Sequence, residues 1–142
     1  MNESEPPKTA DPEGSKIEPG LEGMCERVVL PEWTRAHYDA DFPAVFSTPA
    51  MIGLMELATS EAIRPFLPPG KFTVGIRIEV NHLKAAPIGA KILTKSKLVE
   101  IDGRRLIFEV EAWHGTRLIG NGRVFHAIVD FARFHAKAAE KP

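Results

Sequence analysis

The chain changes its hydrophobic period once, abruptly, after residue 67. From Thr48 to Leu67, apolar residues recur at spacings of three and four with few charges, which predicts a largely buried helix. Thr48 suits the N-cap, and Pro49 suits the first helical position. Residues 68–70 (PPG) then break the chain, and apolar residues alternate with polar ones from Phe72 onward. One apolar helix followed by strands predicts an α+β fold.

Strands account for most of the remaining pattern. They are expected over residues 24–30, 72–82, 88–101, 105–112 and 117–131. Asp102-Gly103 is predicted to form a two-residue hairpin turn. Residues 31–46 show no clean period, and their aromatic side chains, Phe42 among them, suggest a packed loop or lid. The expected architecture is one long helix wrapped by an antiparallel sheet. Because such a sheet leaves edge strands uncovered, a homodimer is expected.

Charge and composition divide the chain into a tail and one domain. Of the 142 residues, 44% are hydrophobic, and the net charge is −1, which is an ordinary globular mixture. Residues 1–22 hold two lysines, six acidic residues and four prolines, so we expect a disordered tail. The domain is expected over 23–135, with a frayed C-terminus over 136–142.

Several partners and settings are disfavoured by the same data. No general basic field would recruit nucleic acid or anionic lipid, and no apolar run is long enough for a transmembrane helix. With one cysteine, Cys25, and no recognisable secretory signal, a cytoplasmic setting is expected.

Three polar residues interrupt the apolar patterns. Glu56 lies on the apolar helix, where a carboxylate must be paired, hydrogen-bonded or protonated unless it occupies one wet stripe. His82 continues its strand in phase with the apolar positions, so it faces the helix as a catalytic or a structural histidine. Thr48 either caps the helix or joins a site that polarises a carbonyl. Since one helix would separate Thr48 from Glu56 by about 12 Å, Glu56 acts through His82 or water, or two subunits share the site.

No metal or cofactor is expected. The other histidines show no metal-ligand spacing with one another or with Cys25. No phosphate-binding glycine pattern opens a helix, and no Gly-x-Ser-x-Gly motif is present, which disfavours dinucleotide enzymes and serine hydrolases. His126 shares parity with Val124 and so is expected to face inward. Arg104 and Arg105 at the hairpin could meet a phosphate, although such turn residues are usually solvated.

Several segments, taken in order, resemble one known family. Residues 47–56 (STPAMIGLME), followed by 74–76 (VGI) and 80–82 (VNH), are similar to the hot-dog-fold thioesterases of the fluoroacetyl-CoA thioesterase type. The resemblance covers roughly residues 24–135. It implies a homodimeric hot-dog domain that hydrolyses acyl-CoA thioesters, with Thr48, Glu56 and His82 at the catalytic positions.

The same resemblance suggests substrate contacts. Gly75 matches a glycine near the acyl group, and Phe42 lies near the family's lid aromatics. His126 stands where the family has an arginine near its site. The prediction is hydrolysis of a small or medium acyl-CoA, with His82, held by Glu56, taking a proton from Thr48 or water. A non-catalytic acyl-CoA sensor and an enoyl-CoA hydratase on the same fold remain as alternatives.

Overall fold

The computed structural model describes residues 17–142 as an antiparallel sheet with one long helix. The strands are β1 (Glu22–Val28), β2 (Lys71–His82), β3 (Lys91–Asp102), β4 (Arg105–His114) and β5 (Arg117–Asp130). The helices are α1 (Arg35–Tyr38), α2 (Thr48–Ile63) and α3 (Phe131–Ala138). Across the sheet the strand order is β1-β3-β4-β5-β2, so β1 and β2 are its edges. The predicted α+β architecture is confirmed.

Helix α2 begins one residue away from the predicted cap. Ser47 is the N-cap, and its side chain accepts a hydrogen bond of 3.2 Å from the N–H of Ala50. The expectation that Thr48 caps the helix is therefore wrong. Because Ser47 satisfies the free N–H, the Thr48 hydroxyl remains available to another partner. The helix ends at Ile63, where Pro65 in the following turn cannot donate a backbone hydrogen bond.

Polar side chains of β3 fix α2 against the sheet. Thr94 and Ser96 are buried, and their hydroxyls donate to the carbonyls of Leu54 and Ala58, each at 2.8 Å. The apolar core between the two layers is built from α2 and the inner faces of β3, β4 and β5, and includes Met51, Met55, Ile92, Leu98, Phe108 and Val124. Hydrogen bonds from β3 and apolar packing against β3, β4 and β5 together hold the helix, and this fixes the position of its remaining side chains.

A bulge in β2 changes which residues face the helix. The register with β5 shifts between Gly75 and Arg77, so Ile76 has no partner residue. Downstream of the bulge, His82 faces α2, as the alternation predicts. Upstream, the predicted inward positions are wrong: Gly75 faces α2, while Phe72 packs on α3, with its ring 5.3 Å from that of Phe131.

The β3–β4 hairpin forms one residue later than predicted. Asp102 pairs with Arg105, so the two loop residues are Gly103 and Arg104. Gly103 has φ 63°, which a glycine adopts without strain, and it occupies the first central position, as type II′ turns require. The arginine at position 104 is consequently presented at the tip of the hairpin.

The residues described near each end of the chain, from 17 and up to 142, make ordered contacts. The predicted disordered tail falls mostly on residues 1–16, which lie outside the described residues. Leu21, which is described, accepts a hydrogen bond from the N–H of Leu98 and packs against the core. At the other end, α3 occupies residues predicted as strand end and frayed terminus. Asp130 caps this helix by accepting from the N–H of Arg133 at 3.0 Å. Within residues 17–142, no helix is long and apolar enough to cross a membrane.

Candidate active site

Thr48 and His82 meet at the N-terminus of α2. The Thr48 hydroxyl lies 2.8 Å from Nδ1 of His82, which is the last residue of β2. A neutral imidazole with an unprotonated Nδ1 accepts this hydroxyl proton, which is the geometry of a base beside a nucleophile. The contact exists because Ser47 takes over the capping of α2.

The surroundings of His82 favour its neutral form. Burial lowers the pKa of the imidazole below its usual 6.5, and the backbone of Lys84 opposes this shift only in part. Within the described part of the chain, Nε2 is buried and makes no hydrogen bond of normal geometry, so any contact with the Lys84 backbone is weak. The ring also packs edge-on against Phe46, with 6.3 Å between the ring centroids. At neutral pH, His82 is therefore ready to accept a proton.

Glu56 binds His126 rather than His82. Its Oε1 is hydrogen-bonded to Nε2 of His126, whose side chain is 5% exposed, against 30% for Glu56. Two hydroxyls complete the imidazole's surroundings: Thr73 lies 3.1 Å from Nδ1, and Thr59 lies 3.4 Å from Nε2. The expectation that Glu56 holds His82 is therefore not met within one chain.

Gly75 lies directly against the Glu56 carboxylate. A Cβ atom at this position would stand 2.5 Å from Oε2 of Glu56, so a side chain here would displace the carboxylate. His126 is the partner of Gly75 on β5. The sheet thus places Gly75, which has no side chain, in front of the Glu56–His126 pair, and this leaves a gap in the surface there. Through the gap, the Glu56 carboxylate keeps access to the surface.

The predicted site residues consequently form two clusters and one outlier. Thr48 and His82 make the first cluster; Glu56, Gly75 and His126 make the second. No hydrogen bond between described residues joins the two clusters. Phe42 belongs to neither: it is exposed in the loop before α2, and the Arg35 guanidinium lies 3.7 Å from the centroid of its ring.

Sequence reasoning missed Thr59 and Thr73. Thr59 follows Glu56 by three residues, a helical spacing that places both on one face, so its proximity could have been expected. Thr73 could not have been found from alternation, because the bulge at Ile76 reverses the phase of that half of β2. Within residues 17–142, no group of three or more His, Cys, Asp or Glu side chains is arranged to hold a metal ion.

Comparison with known proteins decides the family. A family model described as fluoroacetyl-CoA-specific thioesterase matches residues 29–132. The chain belongs to the fluoroacetyl-CoA-specific thioesterase family. The fluoroacetyl-CoA thioesterase of Streptantibioticus cattleyicolor is 39% identical over 102 residues, which make up 72% of this chain and 73% of that protein. The prediction of an enzyme that hydrolyses acyl-CoA thioesters is confirmed, and neither the sensor nor the hydratase is favoured.

Solved structures agree with this membership of the thioesterase family. A structure of a fluoroacetyl-CoA thioesterase has a TM-score of 0.83 at 35% identity, covering 89% of this chain and 98% of that chain. A thioesterase superfamily member from Thermus thermophilus has a TM-score of 0.80 at 32% identity, covering 86% and 90%. A hot-dog-like protein from Thermanaerovibrio acidaminovorans, 20% identical with a TM-score of 0.78 over 86% and 90%, shares the fold. The predicted hot-dog fold is confirmed.

Proposed function

We propose that this thioesterase hydrolyses a small or medium acyl-CoA at a site formed by Thr48, His82 and Glu56. The observation that carries the proposal is the hydrogen bond between the Thr48 hydroxyl and a partly desolvated His82. This pair stands at the N-terminus of α2, where the positive end of the helix dipole favours developing negative charge. The free thiol of Cys25 fits a cytoplasmic setting.

The proposed reaction begins with proton transfer to His82. The imidazole takes the proton of Thr48, or of a water that Thr48 orients, and the oxygen attacks the thioester carbonyl carbon. The C–S bond then breaks, and the CoA thiolate leaves with the proton that His82 has held. If Thr48 is the nucleophile, a water then hydrolyses the acyl ester in the same manner. Gly75, together with Phe42 in the preceding loop, is proposed to contact the acyl group.

The backbone near Gly75 is the proposed stabiliser of the oxyanion. The bulge leaves Ile76 without a partner on β5, at the edge of the sheet. Since the extra residue of a bulge is left unpaired, we infer that the Ile76 N–H is free of the β5 ladder, and Ile76 follows Gly75, which lies against Glu56. A preorganised donor of this kind typically stabilises the transition state by about 3 kcal/mol.

A homodimer would unite the two clusters. Strand β2 is a 12-residue edge strand whose Ile76 and Ile78 are exposed, an arrangement that invites pairing with another strand. Gly75 and His82 both face α2, and residues paired across an antiparallel ladder point to the same face. If two β2 strands pair with Gly75 opposite His82, the Thr48–His82 pair of one protomer meets the Glu56 of its partner.

A panel assay tests the activity. The wild-type protein is given acetyl-, fluoroacetyl-, butyryl- and hexanoyl-CoA, and release of free CoA thiol is recorded. We expect turnover of at least one of these substrates and a loss of about 100-fold or more in His82→Ala, as for a positioned acid–base. Full activity in His82→Ala would contradict the proposed mechanism.

Complementation tests the shared site. His82→Ala and Glu56→Gln proteins, each expected to be nearly inactive, are denatured together in equal amounts and refolded. Half of the dimers would then be mixed, and each would hold one intact site of two, so about a quarter of the wild-type activity should return. Each variant refolded alone is the control. No recovery, with mixed dimers detected by mass spectrometry, would place the whole site within one chain.

A further inference from the structure

A basic cleft lies between the β3–β4 hairpin and α3. Its volume is about 700 Å³, and the polar and aromatic side chains that line it are Lys71, Arg104, Asp130, Arg133, Phe134 and Lys137. Four of these six are cationic, although the chain as a whole carries a net charge of −1. The basic cleft therefore concentrates positive charge in one place, and its natural ligand is an anion.

Most of this charge is not neutralised by the protein. Asp130 lies 4.0 Å from Nζ of Lys71, and its other oxygen caps α3. Between residues 17 and 142, no carboxylate forms an ion pair with Arg104, Arg133 or Lys137. These three cations come from two separate elements, the hairpin tip and α3, so the fold itself brings them together. Arginine side chains in particular form paired hydrogen bonds with phosphate oxygens.

The pairing of β2 with β5 gives the distance along the strands from this basic cleft to the Glu56 cluster. Lys71 pairs with Asp130, and Gly75 pairs with His126, so the two pairs are four residues apart on both strands. At about 3.3 Å per residue this is about 13 Å. The pantetheine arm of CoA has about thirteen bonds between sulfur and the first phosphorus, as many as roughly four peptide residues, and so reaches about 15 Å when extended. A thioester held beside Gly75 would thus deliver its phosphates to the basic cleft.

The geometry points to the basic cleft as the binding site for the nucleotide end of CoA, with Arg104, Arg133 and Lys137 on the phosphates. This inference rests on the proposed function, since it takes the thioester to lie beside Gly75. Phe134 of α3 lines the basic cleft and is 42% exposed, so its ring offers a face on which the adenine can stack. The pantetheine arm would run along β2 between the two sites.

Direct binding tests the inference independently of catalysis. The dissociation constants of CoA and of pantetheine, which lacks the nucleotide, are measured by titration calorimetry at two salt concentrations. We expect wild type to bind CoA at least tenfold more tightly than pantetheine, with the difference shrinking at high salt. The double variant Arg133→Glu/Lys137→Glu should weaken CoA binding tenfold or more. Arg104→Gln on the hairpin, measured separately, should also weaken CoA binding. Both proteins should bind pantetheine as wild type does.

Arg117→Glu is the matched control. Arg117 is an exposed arginine at the opposite end of β5 from Asp130, so its reversal should change neither constant. The inference is overturned if the double variant binds CoA like wild type, if it loses pantetheine equally, or if wild type does not distinguish the two ligands. CoA binding that depends on Arg133 and Lys137, in a protein that hydrolyses no thioester, would support the basic cleft while refuting the mechanism assigned to Thr48 and His82.

Discussion

Removing the His126 imidazole would leave the Glu56 carboxylate without its buried partner. His126→Leu takes away a hydrogen bond to Glu56 and contacts to the hydroxyls of Thr59 and Thr73. Leaving buried polar groups unpaired costs about 1 to 3 kcal/mol, and hydrogen bonds to charged groups lie toward the upper end. We therefore expect His126→Leu to lower the free energy of unfolding by about 2 to 3 kcal/mol.

A double-mutant cycle isolates the part of this loss that belongs to the pair. Glu56→Met removes the carboxylate while keeping a helix-forming side chain of similar length. Since Glu56 is 30% exposed, solvent weakens its interaction with His126. We therefore expect a coupling energy of about 1 to 2 kcal/mol, below the value of about 3 kcal/mol that a fully buried hydrogen bond to a charged group can reach. Urea unfolding of the four proteins, followed by circular dichroism at pH 7 and one fixed protein concentration, gives the number.

A surface pair provides the control for the cycle. Arg123 and Glu109 lie 3.8 Å apart across β4 and β5, with side chains 49% and 56% exposed, so their coupling should not exceed about 0.5 kcal/mol. Effects of His126→Leu and Glu56→Met that add within about 0.5 kcal/mol would refute the reasoning. In activity, His126→Leu should lower kcat about tenfold with little change in KM. His126→Gln, whose amide can still donate to Glu56, should recover part of the loss.

Two further predictions concern the Thr48–His82 cluster and the gap that Gly75 leaves in front of Glu56. Because burial lowers the pKa of His82, kcat/KM should fall as pH drops below about 6.5 and be level above that pH. The free energy of unfolding should also decline below pH 6.5, since the unfolded chain binds the His82 proton more readily than the folded chain. His82→Gln should reduce this dependence of the unfolding free energy on pH. Gly75→Ala should displace the Glu56 carboxylate and lower kcat about tenfold. The control is Gly53→Ala, at an open position on α2, which should keep full activity. Equal activities of the two variants would contradict the idea that Glu56 needs the space that Gly75 leaves.

Local patterns predicted the elements of this fold because each pattern has its own period. The spacing of three and four across residues 48–63 and the alternation across residues 72–82 correspond to α2 and β2. The hairpin at Gly103 followed from turn chemistry, with an error of one residue. What these patterns could not give is which of two adjacent residues, Ser47 or Thr48, caps α2, since both have a suitable hydroxyl.

The partners of Glu56 lay beyond the reach of sequence for a different reason. Glu56 and His126 are 70 residues apart, and His126 reaches the carboxylate only because Gly75, its partner across the ladder, has no side chain. The inward placement of Thr73 depends on a single inserted residue, Ile76. A bulge adds one residue to a strand without an obvious signal, yet it moves every upstream side chain to the other face.

The two histidines of the site show why environment, not residue type, assigns a role. His82 lies beside a hydroxyl, and desolvation lowers its pKa, so its useful property is an unprotonated nitrogen whose lone pair can accept a proton at neutral pH. His126 is buried against a carboxylate and two threonine hydroxyls, which occupy both of its nitrogens. A ring whose nitrogens are both engaged cannot readily exchange protons with a substrate, but it can hold Glu56 in one orientation. In the proposed mechanism, the same side chain therefore serves as the base in one cluster and as a positioning residue in the other.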